Sequence, residues 1–202
     1  MKLYLFDRDE PGGAEAFFRA AVLDYCGAAI CADFGDEIPA VAREPNGKPY
    51  FSESPLNGQT HFSLSHSGAY WAVLFHDAEV GLDIEDMDIR GGLTDERRER
   101  IAERFFAEDE KTYILAGEDH ADRLTKFFRV WTAKEAYIKY TGNGMSESLP
   151  SFSALCPPED VTIVTFTPAL CPPKDVTIVT STPAPSLVCS VCCATAPRKG
   201  MP

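Results

Sequence analysis

Hydrophobic and polar positions alternate at a period of two along several short runs, and each run predicts a β-strand. Residues 2–6, Thr60 to Leu64, Tyr70 to Phe75 and Val80 to Glu85 read this way, with Tyr50-Phe51 as a shorter one and Ser65-His66-Ser67-Gly68 as a turn. Pro11-Gly12-Gly13 breaks the chain, and residues 14–31 then carry helical spacing with Phe17, Ala21 and Tyr25 on one side. Residues 33–49 are turn-rich and end in Pro45-Asn46-Gly47-Lys48-Pro49. Beyond Glu85 the period lengthens. Residues 94–106 predict a charged amphipathic helix, capped by Thr94 or Asp95, with Ile101, Phe105 and the stem of Arg97 on its inner side. Residues 108–116 and 122–140 predict two more, the last stopped by Gly142-Asn143-Gly144. The pattern predicts an α+β chain of small, mostly antiparallel sheets packed on helices.

The tail repeats itself. Ala154–Pro168 and Ala169–Pro183 match at 13 of 15 positions, differing at Glu159/Lys174 and Phe166/Ser181. Two copies are too few for a solenoid, so a tandem duplication is the simpler account. Each copy offers one β-branched strand, Asp-Val-Thr-Ile-Val-Thr, entered through Pro-Pro, and a spare strand of this kind is an aggregation hazard.

Composition narrows the function. The 202 residues are 45% hydrophobic and 11% aromatic, which suits one globular domain or two small halves sharing a core. The formal net charge of −12 repels nucleic acid and anionic membranes. A phosphate-bearing ligand must therefore meet a local basic patch or a metal. No apolar run approaches the roughly 20 residues that span a bilayer, and the N-terminus meets acid at Asp7, too early for a signal peptide. Seven cysteines, an odd count, fit reduced thiols in a cytoplasm. Cys189 and Cys192 form a CxxC, but Cys156 and Cys171 do not supply a second zinc-spaced pair. The segment reads instead as a buried strand with cysteine as a small hydrophobe.

Two stretches carry candidate chemistry. In Gly81-Leu82-Asp83-Ile84-Glu85, the strand period puts Asp83 and Glu85 on one face and Ile84 in the core. In Trp131-Thr132-Ala133-Lys134-Glu135-Ala136-Tyr137-Ile138-Lys139, the helical period puts Trp131, Glu135 and Lys139 on one face. If that face meets the strand, three carboxylates converge beside a lysine. Carboxylates about 4 Å apart repel by roughly 4 kcal/mol per pair at an effective dielectric of 20, so the cluster needs a proton or a cation. Mg²⁺, held by few carboxylates plus substrate phosphate, meets the need. Plainer readings stand beside these. Asp83 and Glu85 suit a solvated edge strand, Glu135 and Lys139 an ordinary helix ion pair, Lys134 an outer-face charge, Trp131 a core anchor, and His66 and Lys48 solvated loops.

Gly47-Lys48-Pro49, Phe62-Ser63-Leu64-Ser65-His66-Ser67, the GxDxE strand and the WxxKEAxxK helix occur in this order and at fitting spacing. Together they resemble the 4′-phosphopantetheinyl transferases of the surfactin-synthetase-activating type, over residues 45–153 and loosely in the final strand. The resemblance implies two similar halves, residues 1–80 and 81–202, with the site between them, and a monomer. It implies transfer of the phosphopantetheine arm of coenzyme A to a serine of an apo acyl or peptidyl carrier protein, releasing 3′,5′-adenosine bisphosphate. By the same resemblance, Asp83, Glu85 and Glu135 hold Mg²⁺. Lys48, Ser65, His66 and Lys139 face the coenzyme's phosphates. Glu135 takes the serine proton, with Lys139 and His66 as its catalytic companions.

Two features depart from that pattern. Longer relatives grip the 3′-phosphate of coenzyme A with a basic N-terminal segment. Here only Lys2, Arg8, Arg19 and Arg43 precede Lys48, and Arg43 is nearest in sequence. The duplicated tail lies beyond the expected site and is expected to leave it intact. The same acids also suit a metal-dependent phosphodiesterase or nuclease, whereas a non-catalytic coenzyme A or carrier-protein binding module would keep the basic contacts but would not need all three acids. The acidic balance disfavours nucleic acid as substrate.

Overall fold

The computed structural model describes residues 1–9, 12–27, 37–53, 56–90, 94–143, 149–167, 174–175, 177–180 and 186–194. The strands are β1 (Lys2–Asp7), β2 (Val41–Arg43), β3 (Pro49–Phe51), β4 (His61–Ser67), β5 (Tyr70–His76), β6 (Val80–Asp86), β7 (Val161–Phe166), β8 (Thr177–Thr180) and β9 (Leu187–Ala194). The helices are α1 (Gly13–Cys26), α2 (Met87–Arg90), α3 (Asp95–Phe105), α4 (Glu108–Leu115) and α5 (His120–Thr141).

Among the described residues three sheets form, in strand orders β4-β5-β1-β8, β2-β3 and β6-β9-β7. Side-chain alternation explains how the larger two stack. On β1, Leu3 and Leu5 point to one side while Tyr4 points to the other; on β5, Ala72 and Leu74 oppose Val73 and Phe75. One side of this first sheet packs on Ala21 and Val22 of α1. The other packs on Leu82 and Ile84 of β6 and on Leu187, Cys189 and Val191 of β9. The opposite face of the second sheet lies against α5, where Thr132 Oγ1 meets Ser190 Oγ at 2.7 Å. The layers therefore run α1, first sheet, second sheet, α5. Each buried Leu, Ile, Val or Phe in these layers contributes about 1.5–3 kcal/mol. The fold is the mixed α+β arrangement of small, mostly antiparallel sheets expected from the sequence.

The structure differs from the sequence reading in detail. Ser65-His66-Ser67 is not a turn: β4 runs through it and pairs with β5 as far as Ser67↔Tyr70. The turn comes at Gly68-Ala69, with Gly68 at φ 57°, a value that favours glycine. Helix α1 stops at Cys26, where Gly27 N–H reaches Leu23 O; residues 28–31 of the expected helix lie outside the described residues. The turn-rich stretch before Lys48 contains a strand, β2, too short to show a period, which makes a hairpin with β3. On α3 the inward arginine is Arg98, not Arg97.

The two tail copies join different sheets. The first supplies β7, antiparallel to β9. The second supplies β8, parallel to β1, with Lys2 opposite Thr177. The second copy thus crosses to the sheet built from residues 2–7, 61–67 and 70–76. Cys189 packs in the core between the two larger sheets while Cys192 packs toward α5, so the CxxC points both ways along a buried strand. Burial pushes both thiols up, which suits small hydrophobes rather than metal thiolates. No helix among the described residues is long and apolar enough to cross a membrane.

Candidate active site

The site grows from the period of β6. Val80, Leu82 and Ile84 enter the inter-sheet core, which leaves residues 81, 83 and 85 facing α5. At position 81 the helix touches the strand. A Cβ there would stand 1.9 Å from Ala136 O and 2.6 Å from Tyr140 N, so only glycine permits the approach. Further along, a cavity of about 330 Å³ opens, lined by Asp83 and Glu85 from the strand, Trp131, Glu135 and Lys139 from the helix, and Ser65 and His66 from β4.

All three acids thus line one space, and its electrostatics follow from that. Burial raises the Asp83 pKa, opposed by Lys139, whose Nζ stands 2.8 Å from Asp83 Oδ1. Burial first, then the charge of Asp83, pushes Glu135 up from 4.5 to about 7; Lys139 opposes the shift and Glu85 adds to it. Glu85 is buried and accepts from Ser67 Oγ at 2.6 Å.

As placed, no three His, Cys, Asp or Glu side chains among the described residues close around a single point. Lys139 and Ser65 engage one oxygen of Asp83, and Ser67 engages one of Glu85. The donor set nonetheless fits a hard divalent ion. It consists of oxygens from three carboxyl groups beside one lysine, and Asp83 Oδ2 is buried with no hydrogen-bond partner.

A second cavity, of about 430 Å³, adjoins the first and shares Leu64, Ser65, His66 and Lys139 with it. Its own wall adds Arg43, Lys48 and Trp71. The hairpin loop that carries Lys48 leans on the end of α5. Lys48 Nζ donates to Tyr140 O at 2.8 Å and pairs with Glu79, and Asn46 packs against Gly142. Lys48 is therefore tethered, not a solvated loop lysine. Arg43 donates to Gly47 O across the same hairpin. The exposed ring of His66 lies on that of Trp71, with centroids 4.8 Å apart.

Lys134 is not an outer-face charge. Its ammonium is fully buried, 2.9 Å from a fully buried Glu110 carboxylate, and donates to Leu149 O and Phe152 O. It pins the segment after α5 to α4, one residue from Glu135. Trp131 packs against Phe105 and Phe106 as well as lining the acidic cavity.

Sequence reasoning grouped Lys48, Ser65, His66, Asp83, Glu85, Glu135 and Lys139, and the structure places all seven on these two adjoining cavities. It missed Ser67 and the environment of Trp71. The signal for Ser67 was present: serine recurs at 63, 65 and 67, which on a strand means one face.

Comparison with known proteins bears on the same stretch. The family model described as the 4′-phosphopantetheinyl transferase superfamily matches residues 79–192. The 4′-phosphopantetheinyl transferase psf-1 of Bacillus pumilus is 42% identical over 115 residues, 55% of this chain and 43% of that protein. The 4′-phosphopantetheinyl transferase Sfp of Bacillus subtilis (strain 168) is 36% identical over 107 residues, 53% of this chain and 43% of that protein. The L-aminoadipate-semialdehyde dehydrogenase-phosphopantetheinyl transferase of Xenopus laevis is 34% identical over 113 residues, 53% and 36% of the two chains. The chain spans less than half the length of each of these relatives. The family match takes in the glycine-acid strand, the α5 face it meets and β9 behind them, more than half of the chain. On that match the protein belongs to the 4′-phosphopantetheinyl transferase superfamily, and its similarity falls on the surfactin-synthetase-activating type.

Proposed function

We propose that this protein transfers the 4′-phosphopantetheine arm of coenzyme A to a serine hydroxyl of an apo acyl or peptidyl carrier protein, with Mg²⁺, releasing 3′,5′-adenosine bisphosphate. The observation that carries the reading is the shared wall of the two cavities. A basic cavity with Arg43, Lys48, His66 and Lys139 opens beside an acidic one with Asp83, Glu85 and Glu135. A diphosphate laid across that wall meets cations on one side and a carboxylate cluster on the other.

Asp83, Glu85 and Glu135 would hold the ion. When bound, Mg²⁺ supplies charge neutralisation at the diphosphate. The chain's own groups do the rest. Lys48 and Lys139 neutralise the remaining phosphate oxygens by charge-assisted hydrogen bonds, His66 donates a hydrogen bond to them, and Arg43, on the same cavity wall, would receive the 3′-phosphate. Ser65 holds Asp83 and Lys139 in register at the junction. The carrier serine attacks the phosphorus bearing the pantetheine arm, the bond to the bridging oxygen breaks, and the adenosine bisphosphate leaves. Glu135, on the wall of the acidic cavity, would accept the serine proton. Positioning and charge stabilisation suffice for phosphoryl transfer. Residues 1–80 and 81–202 act as two halves of one monomer, in the cytoplasm.

Incubation with coenzyme A, Mg²⁺ and an apo carrier protein tests this. Mass gain of one phosphopantetheine group on the carrier supports transfer. Coenzyme cleavage without mass gain supports a phosphodiesterase instead, and binding without either supports a non-catalytic module.

A further inference from the structure

β4 carries serine at every second position, and the three hydroxyls lie along the edge of β6 that β9 does not pair. Ser63 Oγ accepts the amide of Leu82 at 3.0 Å, Ser65 Oγ that of Ile84 at 3.2 Å, and Ser67 Oγ that of Asp86 at 3.0 Å. These bonds replace a backbone ladder between the two sheets, since buried amides need partners. A hydroxyl that accepts an N–H still has its own proton to donate. Ser65 gives it to Asp83 Oδ1 at 2.8 Å and Ser67 to Glu85 Oε2 at 2.6 Å. The residue at the same relative position to Ser63 is Gly81, which has no side chain. The structural bond therefore occurs three times, and the carboxylate bond only twice.

We infer that Ser67 is a positioning residue for Glu85, fixing the side chain that the proposed function assigns to the ion. The inference rests on that functional reading. Glu85 is long and rotamer-rich, and a hydroxyl anchored by a backbone amide limits where its carboxylate can stand. Ser65 does the same for Asp83 but also touches Lys139, so Ser67 is the cleaner case. Orienting hydrogen bonds of this kind affect ion affinity by about 10–100-fold.

Ser63 supplies a matched control, because Ser63→Ala removes the same amide bond without touching a carboxylate. Mn²⁺ binding to the 202-residue chain is followed by electron paramagnetic resonance of the free ion, with melting temperature recorded for each variant. Ser63→Ala and Ser67→Ala are expected to lower the melting temperature by similar amounts. Only Ser67→Ala is expected to weaken Mn²⁺ binding, by at least tenfold, and Ser67→Thr, which keeps the hydroxyl, to recover most of it. Equal Mn²⁺ affinity in Ser67→Ala and the wild type overturns the inference alone, as does an equal loss in Ser63→Ala. No Mn²⁺ uptake by the wild type overturns it together with the functional reading.

Discussion

Gly81 lies directly beneath the backbone of Ala136, with no room for a methyl group between them. The neighbouring atoms are a carbonyl oxygen and an amide nitrogen of α5, which cannot swing aside as a side chain would. Gly81→Ala must push helix and strand apart. Overpacking of this kind costs about 1–3 kcal/mol, and it also moves Glu135 away from Asp83 and Glu85. Chemical denaturation should show that loss, and carrier modification should fall at least tenfold in protein that remains folded.

Glu110 and Lys134 form a buried ion pair that the sequence did not reveal as such. Burial holds Lys134 below the ordinary lysine range, with Glu110 pulling the other way. Lys134→Met leaves Glu110 buried without its counter-charge, and breaking such a pair costs about 3–5 kcal/mol. The double variant Glu110→Gln/Lys134→Met, which removes both charges but keeps an acceptor for the Ala107 and Ala154 amides, should regain much of that in urea unfolding. A single variant as stable as the wild type would show that the pair does not hold α4 to the segment after α5.

The acidic cavity has a pH signature. Glu135 binds its proton more tightly in the folded protein than in the unfolded chain, since its pKa rises from 4.5 to about 7. A raised carboxylate pKa means that the folded state holds more protons than the unfolded one between those values, so stability falls as pH rises through that window. Asp83 shifts in the same direction. A divalent ion relieves the repulsion and competes with the proton. The rise in melting temperature caused by Mg²⁺ should therefore grow from pH 5 to pH 8, and Glu135→Gln should flatten the dependence.

Deleting residues 169–183 removes one tail copy and strand β8 with it, while leaving β7 beside β9. Both cavities are lined by residues outside that stretch. The shortened protein should keep carrier modification within about threefold of the full chain. It should be less stable and more prone to aggregate, because the edge of β1 that β8 covers becomes a free pairing edge. Loss of activity in a folded deletion variant would tie the second copy to function.

The sequence made the site legible where chemistry and period coincide. Asp83 and Glu85 at strand spacing, and Trp131, Glu135 and Lys139 at helical spacing, define two faces from the sequence alone. What it could not show was how those faces meet, since that depends on a contact between Gly81 and α5 across more than fifty residues of chain. Ser65-His66-Ser67 reads as a turn in sequence because Ser and a following Gly are common turn residues. Their hydroxyls instead satisfy the amides of β6, a tertiary bond that overrides local preference. Lys134 was hidden for a related reason: a lysine on a helix is ordinarily solvated, and its buried partner lies on another helix. The tail copies share a sequence, so nothing local could assign them to different sheets.

Everything in the functional reading depends on Asp83, Glu85 and Glu135 sharing one ion. Crystals grown with coenzyme A and Mn²⁺ test this by anomalous scattering. A peak is expected in the cavity between β6 and α5, with oxygens of those carboxylates about 2.0–2.3 Å from it, as hard divalent ions require, and the diphosphate on its other side. A diphosphate bound with its Mn²⁺ elsewhere, and the three acids left without an ion, would contradict it.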